Sequence, residues 1–158
     1  MENKFVAVKS ASDWTLVMDV PHLNLHRVWT KRNQSYPIER QMLIQAYYEP
    51  SVEALFRDGS LVTTDKDFLR EIGLLDEEEN PVVYELTEAM KQRLIKFMPI
   101  SEVKKEFAKM SSTQIEEVIE YAIVNYKDLS MDRIDLFKQV SGRNVVRAIE
   151  NYRAAQEG

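Results

Sequence analysis

The stretch from Tyr36 to Leu75, YPIERQMLIQAYYEPSVEALFRDGSLVTTDKDFLREIGLL, sets the tightest limits on the fold. Start and stop signals follow one another along it, and the rest of the chain reads as attached to it. Pro37 suits a first helical position, where its missing N–H costs nothing. Ile38, Met42, Leu43 and Ala46 then recur at helical spacing, which predicts a helix over 37–48 with one apolar face. Pro50 stops that helix, because a proline disfavours helical backbone at the residue before it. Val52, Leu55 and Phe56 make the apolar face of a short second helix over 50–57. Asp58-Gly59 is a turn or C-cap signal, with glycine free to take positive φ. Leu61-Val62-Thr63 is extended in character. Thr64 is placed to cap a third helix over 65–72, with Asp65 and Asp67 at its positive end, and Gly73 closes it.

On the N-terminal side, Phe5–Val8 and Thr15–Met18 read as strands around Ser10-Ala11-Ser12-Asp13, expected as a hairpin or as neighbours in one sheet. Arg27-Val28-Trp29-Thr30-Lys31 reads as a third strand, with Val28 and Thr30 on one face and Arg27, Trp29 and Lys31 on the other. The 61–63 strand is placed to extend this small antiparallel sheet. On the C-terminal side, Asp76-Glu77-Glu78-Glu79-Asn80-Pro81 reads as a linker, since four adjacent carboxylates repel one another. Val82-Val83-Tyr84 looks extended. Thr87 then caps a helix to about Phe97, and Pro99 breaks it and begins another over 99–110.

The remainder is helical with an internal echo. Phe107, Met110, Ser111, Ile115, Val118, Ile119 and Glu120 lie thirty residues before Phe137, Val140, Ser141, Val145, Ala148, Ile149 and Glu150. Each copy reads as helix, serine-led turn, helix, with Ser111 or Ser112, and Ser141, capping the second helix of its pair. A repeat of paired helices gives such a period; a plain helical bundle is the alternative. The fold class expected is therefore α+β. A domain over 1–75 carries three strands, three short helices and one further short strand. A linker over 76–81 leads to a helical domain over 82–158 with paired helices.

Apolar residues make up 44% of the chain, enough to fill a core. A chain of this size buries about two-thirds of its unfolded surface. No apolar run approaches the roughly 20 residues that span a bilayer, and the opening MENKFVAVKSASDW has no long apolar segment. The expectation is no leader, no membrane partner and an intracellular setting. Cysteine is absent, which excludes disulfides, thiolate catalysis and cysteine metal sites. Residues 1–47 hold six basic and four acidic groups, 48–98 six and twelve, and 99–158 nine and ten. Without a strong basic block the chain is poorly suited to non-specific duplex binding, which runs on phosphate neutralisation.

Reactive constellations are scarce. His22 and His26 are the only histidines. The segment that follows Pro21 reads as extended or irregular, and at the rise of a strand their rings would stand about 13 Å apart, too far to share an ion. Asp65-Lys66-Asp67 could offer oxygen ligands but reads more simply as a charged helix start. Glu116, Glu117 and Glu120 lack the Glu-x-x-His partner of di-iron bundles. The 76–79 run lacks the alternating ligands and central glycine of a calcium loop. No phosphate-cradling glycine loop or G-x-S-x-G elbow is present, and only four glycines exist to build one. The reading is a non-enzyme without cofactor or metal.

Surface contact is the chemistry left. Trp29, Tyr47, Tyr48 and Phe56 are the aromatics most in excess of core needs, and aromatics gather at interface centres. The plainer reading of each singly is a core position. Two basic groups suit nucleic acid instead: Arg27, Lys31 and Arg32 flanking Trp29, and Lys138, Arg143 and Arg147 around the Ser141-Gly142 turn, as in a helix-turn-helix reader. Asp135 and Glu150 dilute the second group toward an ordinary salt-bridged surface.

The segments RVWTKRNQSYPIERQMLIQAYYEPSVEALFRDGSLVTTDKDFLREIGL and FMPISEVKKEFAKMSSTQIEEVIEYAIVN resemble small proteins of tailed bacteriophages. The shared pattern is one of turns and core positions: the "yePsVeaLFrdG" turn, a helix ending in Gly-Leu, an acidic gap, then Met-Pro before paired helices. The resemblance brings no catalytic residues. It implies a phage setting, as a virion component, a host-interaction factor or a DNA-transaction accessory. The expected function is a non-enzymatic structural or assembly protein of a tailed-phage virion, partnered by other phage structural subunits and located in the virion or host cytoplasm. The alternative is a nucleic-acid-binding regulator using the C-terminal helix pair or strand 27–32.

Overall fold

The computed structural model describes residues 4–157. The fold is α+β, and the chain divides into two compact units between Glu85 and Leu86.

The first unit runs β1 (Phe5–Ser10), β2 (Leu16–Val20), a 3-10 turn (Pro21–Leu23), β3 (Leu25–Trp29), β4 (Ser35–Glu39), α1 (Arg40–Ala46), α2 (Pro50–Arg57), β5 (Leu61–Val62) and α3 (Lys66–Glu71). Its strands make two antiparallel sheets, one ordered β4-β1-β5 and one of β2 with β3. The expected pairing of the first two strands does not occur. The corner between them is held by its own serines: Ser10 Oγ donates to Ser12 O at 3.0 Å and accepts from Ser12 N at 3.2 Å. Its backbone is engaged elsewhere, Ser10 N to Gln34 O, Asn33 N to Ser10 O and Ala11 N to Ser60 O. A chain so held cannot fold straight back as a hairpin.

Pro37 does not begin a helix. It lies within β4, opposite Ala7, and the helix starts three residues later at Arg40. On this side of β1 the hydrogen bonds fall on Lys4 O and Ser10 N, so by strict alternation Ala7 and Pro37 form a non-hydrogen-bonded pair. The proline nitrogen therefore faces away from β1, on the end strand of the sheet, where a missing donor is tolerated. Ile38, read as the start of an apolar helix face, is instead a buried strand residue beside Val6.

Val6 and Val8 turn inward from β1 to pack with Trp29, Ile38, Leu43, Phe56 and Phe68. The rings form two runs: Trp29 meets Tyr36 edge-on at 5.3 Å, and Phe56 lies 6.1 Å from Tyr47 and 5.6 Å from Phe68. Asp65, not Thr64, is the N-cap of α3 and accepts from Phe68 N at 2.9 Å. Gly59 and Gly73 take positive φ behind α2 and α3, as their placement predicts.

The acidic run is not an open linker. Asp76 Oδ1 accepts from Glu78 N at 2.9 Å and Asn80 N at 2.8 Å, and Asp76 N donates to Asn80 O. Leu75 bridges Pro81 and Val82 N bonds Leu74 O, so the chain reverses tightly and stays with the first unit. Charge repulsion is relieved because the amides take up Asp76 and Arg70 takes up Glu79 at 2.6 Å. The division between units accordingly comes after Glu85, beyond the expected linker.

The second unit is helical. α4 (Glu88–Gln92) runs on into a π turn (Arg93–Phe97), followed by α5 (Ile100–Phe107), α6 (Ser112–Val124), a 3-10 turn (Tyr126–Asp128), α7 (Met131–Ser141) and α8 (Val145–Glu157). Thr87 caps α4 through Met90 N, and Pro99 is the N-cap of α5. Ser111 forms a capping box with Gln114, satisfying two donors at once. The echoing positions yield two helix–turn–helix pairs, and Phe107 stacks edge-on against Phe137 at 5.4 Å. Ser141 departs from its expected role. It ends α7, its Oγ donating back to Phe137 O at 2.7 Å, while Asn144 Oδ1 accepts from Arg147 N to start α8. Gly142 supplies the left-handed residue between them.

The wide π turn closes with Met98 N on Arg93 O. A helix end leaves carbonyls without intrahelical donors, and Arg133 reaches two of them, Leu94 O at 2.6 Å and Met98 O. Lys91 is also buried, with Nζ 2.8 Å from Glu88 and 4.8 Å from the centre of the Tyr121 ring.

Candidate functional site

A cleft of ≈ 410 Å³ lies beside β1 in the first unit. It opens because β5 pairs with only Lys9 and Ser10 and then departs. Thr63 Oγ1 accepts from Asp65 N at 3.2 Å, and Asp65 is gripped by both terminal nitrogens of Arg40 at 2.8 and 2.7 Å. These bonds turn residues 63–66 away from the sheet. One wall is then Val62, Thr63, Thr64, Lys66 and Leu69; the other is Pro81, Val83 and Glu85; Ala7, Lys9 and Ser35 come from the sheet. A smaller cavity of ≈ 30 Å³ shares Val62, Leu69, Pro81 and Val83 and is bordered by Phe56, Leu61 and Leu74. The cleft is thus apolar in depth and carries hydroxyls, two lysines and one carboxylate. Lys9 and Glu85 pair at 3.5 Å with both side chains well exposed, a contact worth about 0–1 kcal/mol.

The Arg40–Asp65 pair is firmer, being bidentate and four-fifths buried. The Arg40 hydrogen bonds, ahead of the opposing effect of burial, hold the Asp65 carboxyl below its ordinary value. Its folded pKa is therefore lower than its unfolded one. The stabilisation is fully present above the unfolded value and is lost as pH falls through the folded value. In an acid titration of stability, Arg40→Leu should remove about 1–3 kcal/mol at neutral pH and flatten this acid limb. Urea midpoints measured down the acid limb check it; an Arg40→Leu profile parallel to the parent would show that the pair contributes no linkage.

The aromatic candidates separate sharply. Trp29, Tyr47 and Phe56 are buried, at 0%, 8% and 2% exposure, whereas Tyr48 is 80% exposed. Only Tyr48 of the four is available at the surface. Trp29 is held inward because its Nε1–H donates to Val8 O at 3.1 Å. The Tyr47 ring is enclosed with its hydroxyl unpartnered; burial raises its pKa and the Arg57 charge offsets part of that.

The basic candidates fall in both units, and several of them are already engaged. Arg32 pairs with Asp13 at 2.9 Å, and Arg27 donates to the neighbouring His26 carbonyl at 2.8 Å. Arg143 is clamped between Glu116 at 3.0 Å and Glu120 at 2.8 Å, which hold its pKa up. Lys31, Lys138 and Arg147 are exposed, the first in one unit and the others in the second. His26 lies across the hairpin from Asp19 at 3.2 Å and His22 lies 4.0 Å from Glu49, so each ring faces its own carboxylate. Among the described residues no group of three or more histidines and carboxylates is placed to hold a metal ion, and no helix is long and apolar enough to cross a membrane.

Sequence reasoning did not single out the cleft. Its walls come from separate stretches of aliphatic and hydroxyl residues, with no local signature of reactivity. The one available hint was Lys66, a cation between two aspartates that each have an arginine partner. Comparison with protein-family models, with curated proteins and with solved structures gave no match.

Proposed function

We propose that this chain is a non-enzymatic interaction protein, an assembly component whose first unit docks a protein partner in the β1 cleft. The observation that carries the reading is the cleft's composition: aliphatic walls reaching toward the core, with hydroxyls and charges confined to a few positions. Binding sites of this kind are largely apolar concavities with a small number of placed polar groups. Its one ion pair and three hydroxyl side chains form no nucleophile–base–orienter set of the kind hydrolytic sites need. The resemblance to tailed-phage proteins suggests the particle or the infected cell as the setting, with other structural subunits as partners.

A photoreactive benzophenone residue in place of Val83 tests the reading. Irradiated in the native extract, the full chain should yield protein adducts of discrete mass, unchanged at high salt and suppressed by excess unmodified chain. Adducts to nucleic acid, diminished by salt, would instead favour the regulator reading through Lys31, Lys138 and Arg147. An absence of any adduct would remove the cleft from the interface.

A further inference from the structure

Resting on that docking reading, the geometry points to the occupant: the free carboxyl end of a partner polypeptide whose last side chain is apolar. Three independent features converge. The first is an unused main-chain pair. Lys4 O and Ser10 N bond toward β4, so the odd residues of β1 face the other way, as the pairing of Lys9 with Val62 and of Ala11 N with Ser60 O shows. Ala7 faces that same side, is exposed, and lies beyond the end of β5. Its N–H and C=O therefore point into the cleft with no strand opposite.

The second feature is length. Val62 already holds Lys9, and Pro81 and Val83 wall the opening. A strand running through would collide with β5, whereas a chain end needs only the single residue of β1 on offer. The third is charge. Asp65 is taken by Arg40, Asp67 by Arg70, and Lys9 by Glu85. Lys66 stands exposed on the rim with none of these carboxylates bound to it. Within residues 1–85, nine basic groups face fifteen acidic ones, so a cation in the cleft runs against the charge of its surroundings. In the bound state the terminal side chain packs on Val62, Leu69 and Val83, its main chain pairs with Ala7, and its carboxylate meets Lys66 Nζ. This combines strand-type pairing with capture of a terminal carboxylate.

The test uses fluorescein-labelled hexapeptides with a glycine–serine body ending in valine, leucine or phenylalanine. Each is made both as the free acid and as the carboxamide, and fluorescence anisotropy is read with the full chain. The acids should bind at least about tenfold tighter than the amides, the range of a charge-assisted contact. Lys66→Glu should abolish that difference and Lys66→Arg should keep it; the position is exposed, so the fold is not at stake. Hydrogen exchange at the Ala7 amide should slow on binding. Equal affinity of acids and amides, or no binding by any hexapeptide, overturns the proposal. If the benzophenone at Val83 still captures a protein in that case, docking stands and only this occupant falls; if both fail, so does the docking site.

Discussion

Trp29→Ala should destabilise the first unit by about 3–5 kcal/mol, the range for emptying a fully buried aromatic position. The ring has no exposed surface and fills the space against Val8 and Tyr36. Whole domains are stable by only about 5–15 kcal/mol, so the substitution removes a large share of the total. Trp29→Phe separates two contributions. It keeps most of the apolar volume but deletes the Nε1 donor, leaving the Val8 carbonyl with one partner fewer, at about 1–3 kcal/mol. Urea denaturation followed by far-ultraviolet circular dichroism gives both values. A loss below about 1 kcal/mol for Trp29→Ala would contradict the burial and restore the residue as a surface contact.

Arg133→Met should destabilise the second unit by about 2–3 kcal/mol. Two effects compete here. Arg133 is 8% exposed, and burial depresses its pKa from the ordinary arginine value; removing the guanidinium recovers that desolvation. Against this, the carbonyls of Leu94 and Met98 lose a charged donor, at about 1–3 kcal/mol each. They lie at the negative end of the helix, where a cation contributes further. The carbonyl losses win because methionine has nothing to offer them. Arg133→Lys should fall between, since an ammonium cannot fork to two acceptors in fixed geometry as guanidinium does. Thermal denaturation of the three chains orders them; Arg133→Met as stable as the parent would mean that water satisfies these carbonyls equally well.

Where the signals were local, the sequence read well. Glycines at 59 and 73, Thr87 and Ser111 stop, start and cap as their chemistry dictates, because the partners of a cap lie within three or four residues. The misreadings at Pro37 and Trp29 turned on partners far along the chain, whereas those at Thr64, Ser141 and the acidic run were local. Tyr36-Pro37-Ile38 is as compatible with a helix start as with a strand; β1, thirty residues away, decides the matter by offering a register in which the proline needs no donor. Trp29 between basic residues looked like a contact surface until the Val8 carbonyl gave its indole a buried partner. The acidic run looked like a hinge because repulsion was weighed and the acceptor strength of one aspartate toward two amides was not. The cleft is the extreme case. No residue in it is unusual, and it exists only because β5 ends early while the chain returns at 81–85.

The placement of the indoles has a practical consequence. Both tryptophans, Trp14 and Trp29, precede Glu85, while the segment from Leu86 onward holds only tyrosines among its strong chromophores. Red-edge excitation of indole emission therefore watches one half of the molecule alone, while ellipticity, dominated by helix, weighs the other more heavily. A single titration recorded both ways reveals whether the halves melt in step or in sequence, with no label attached.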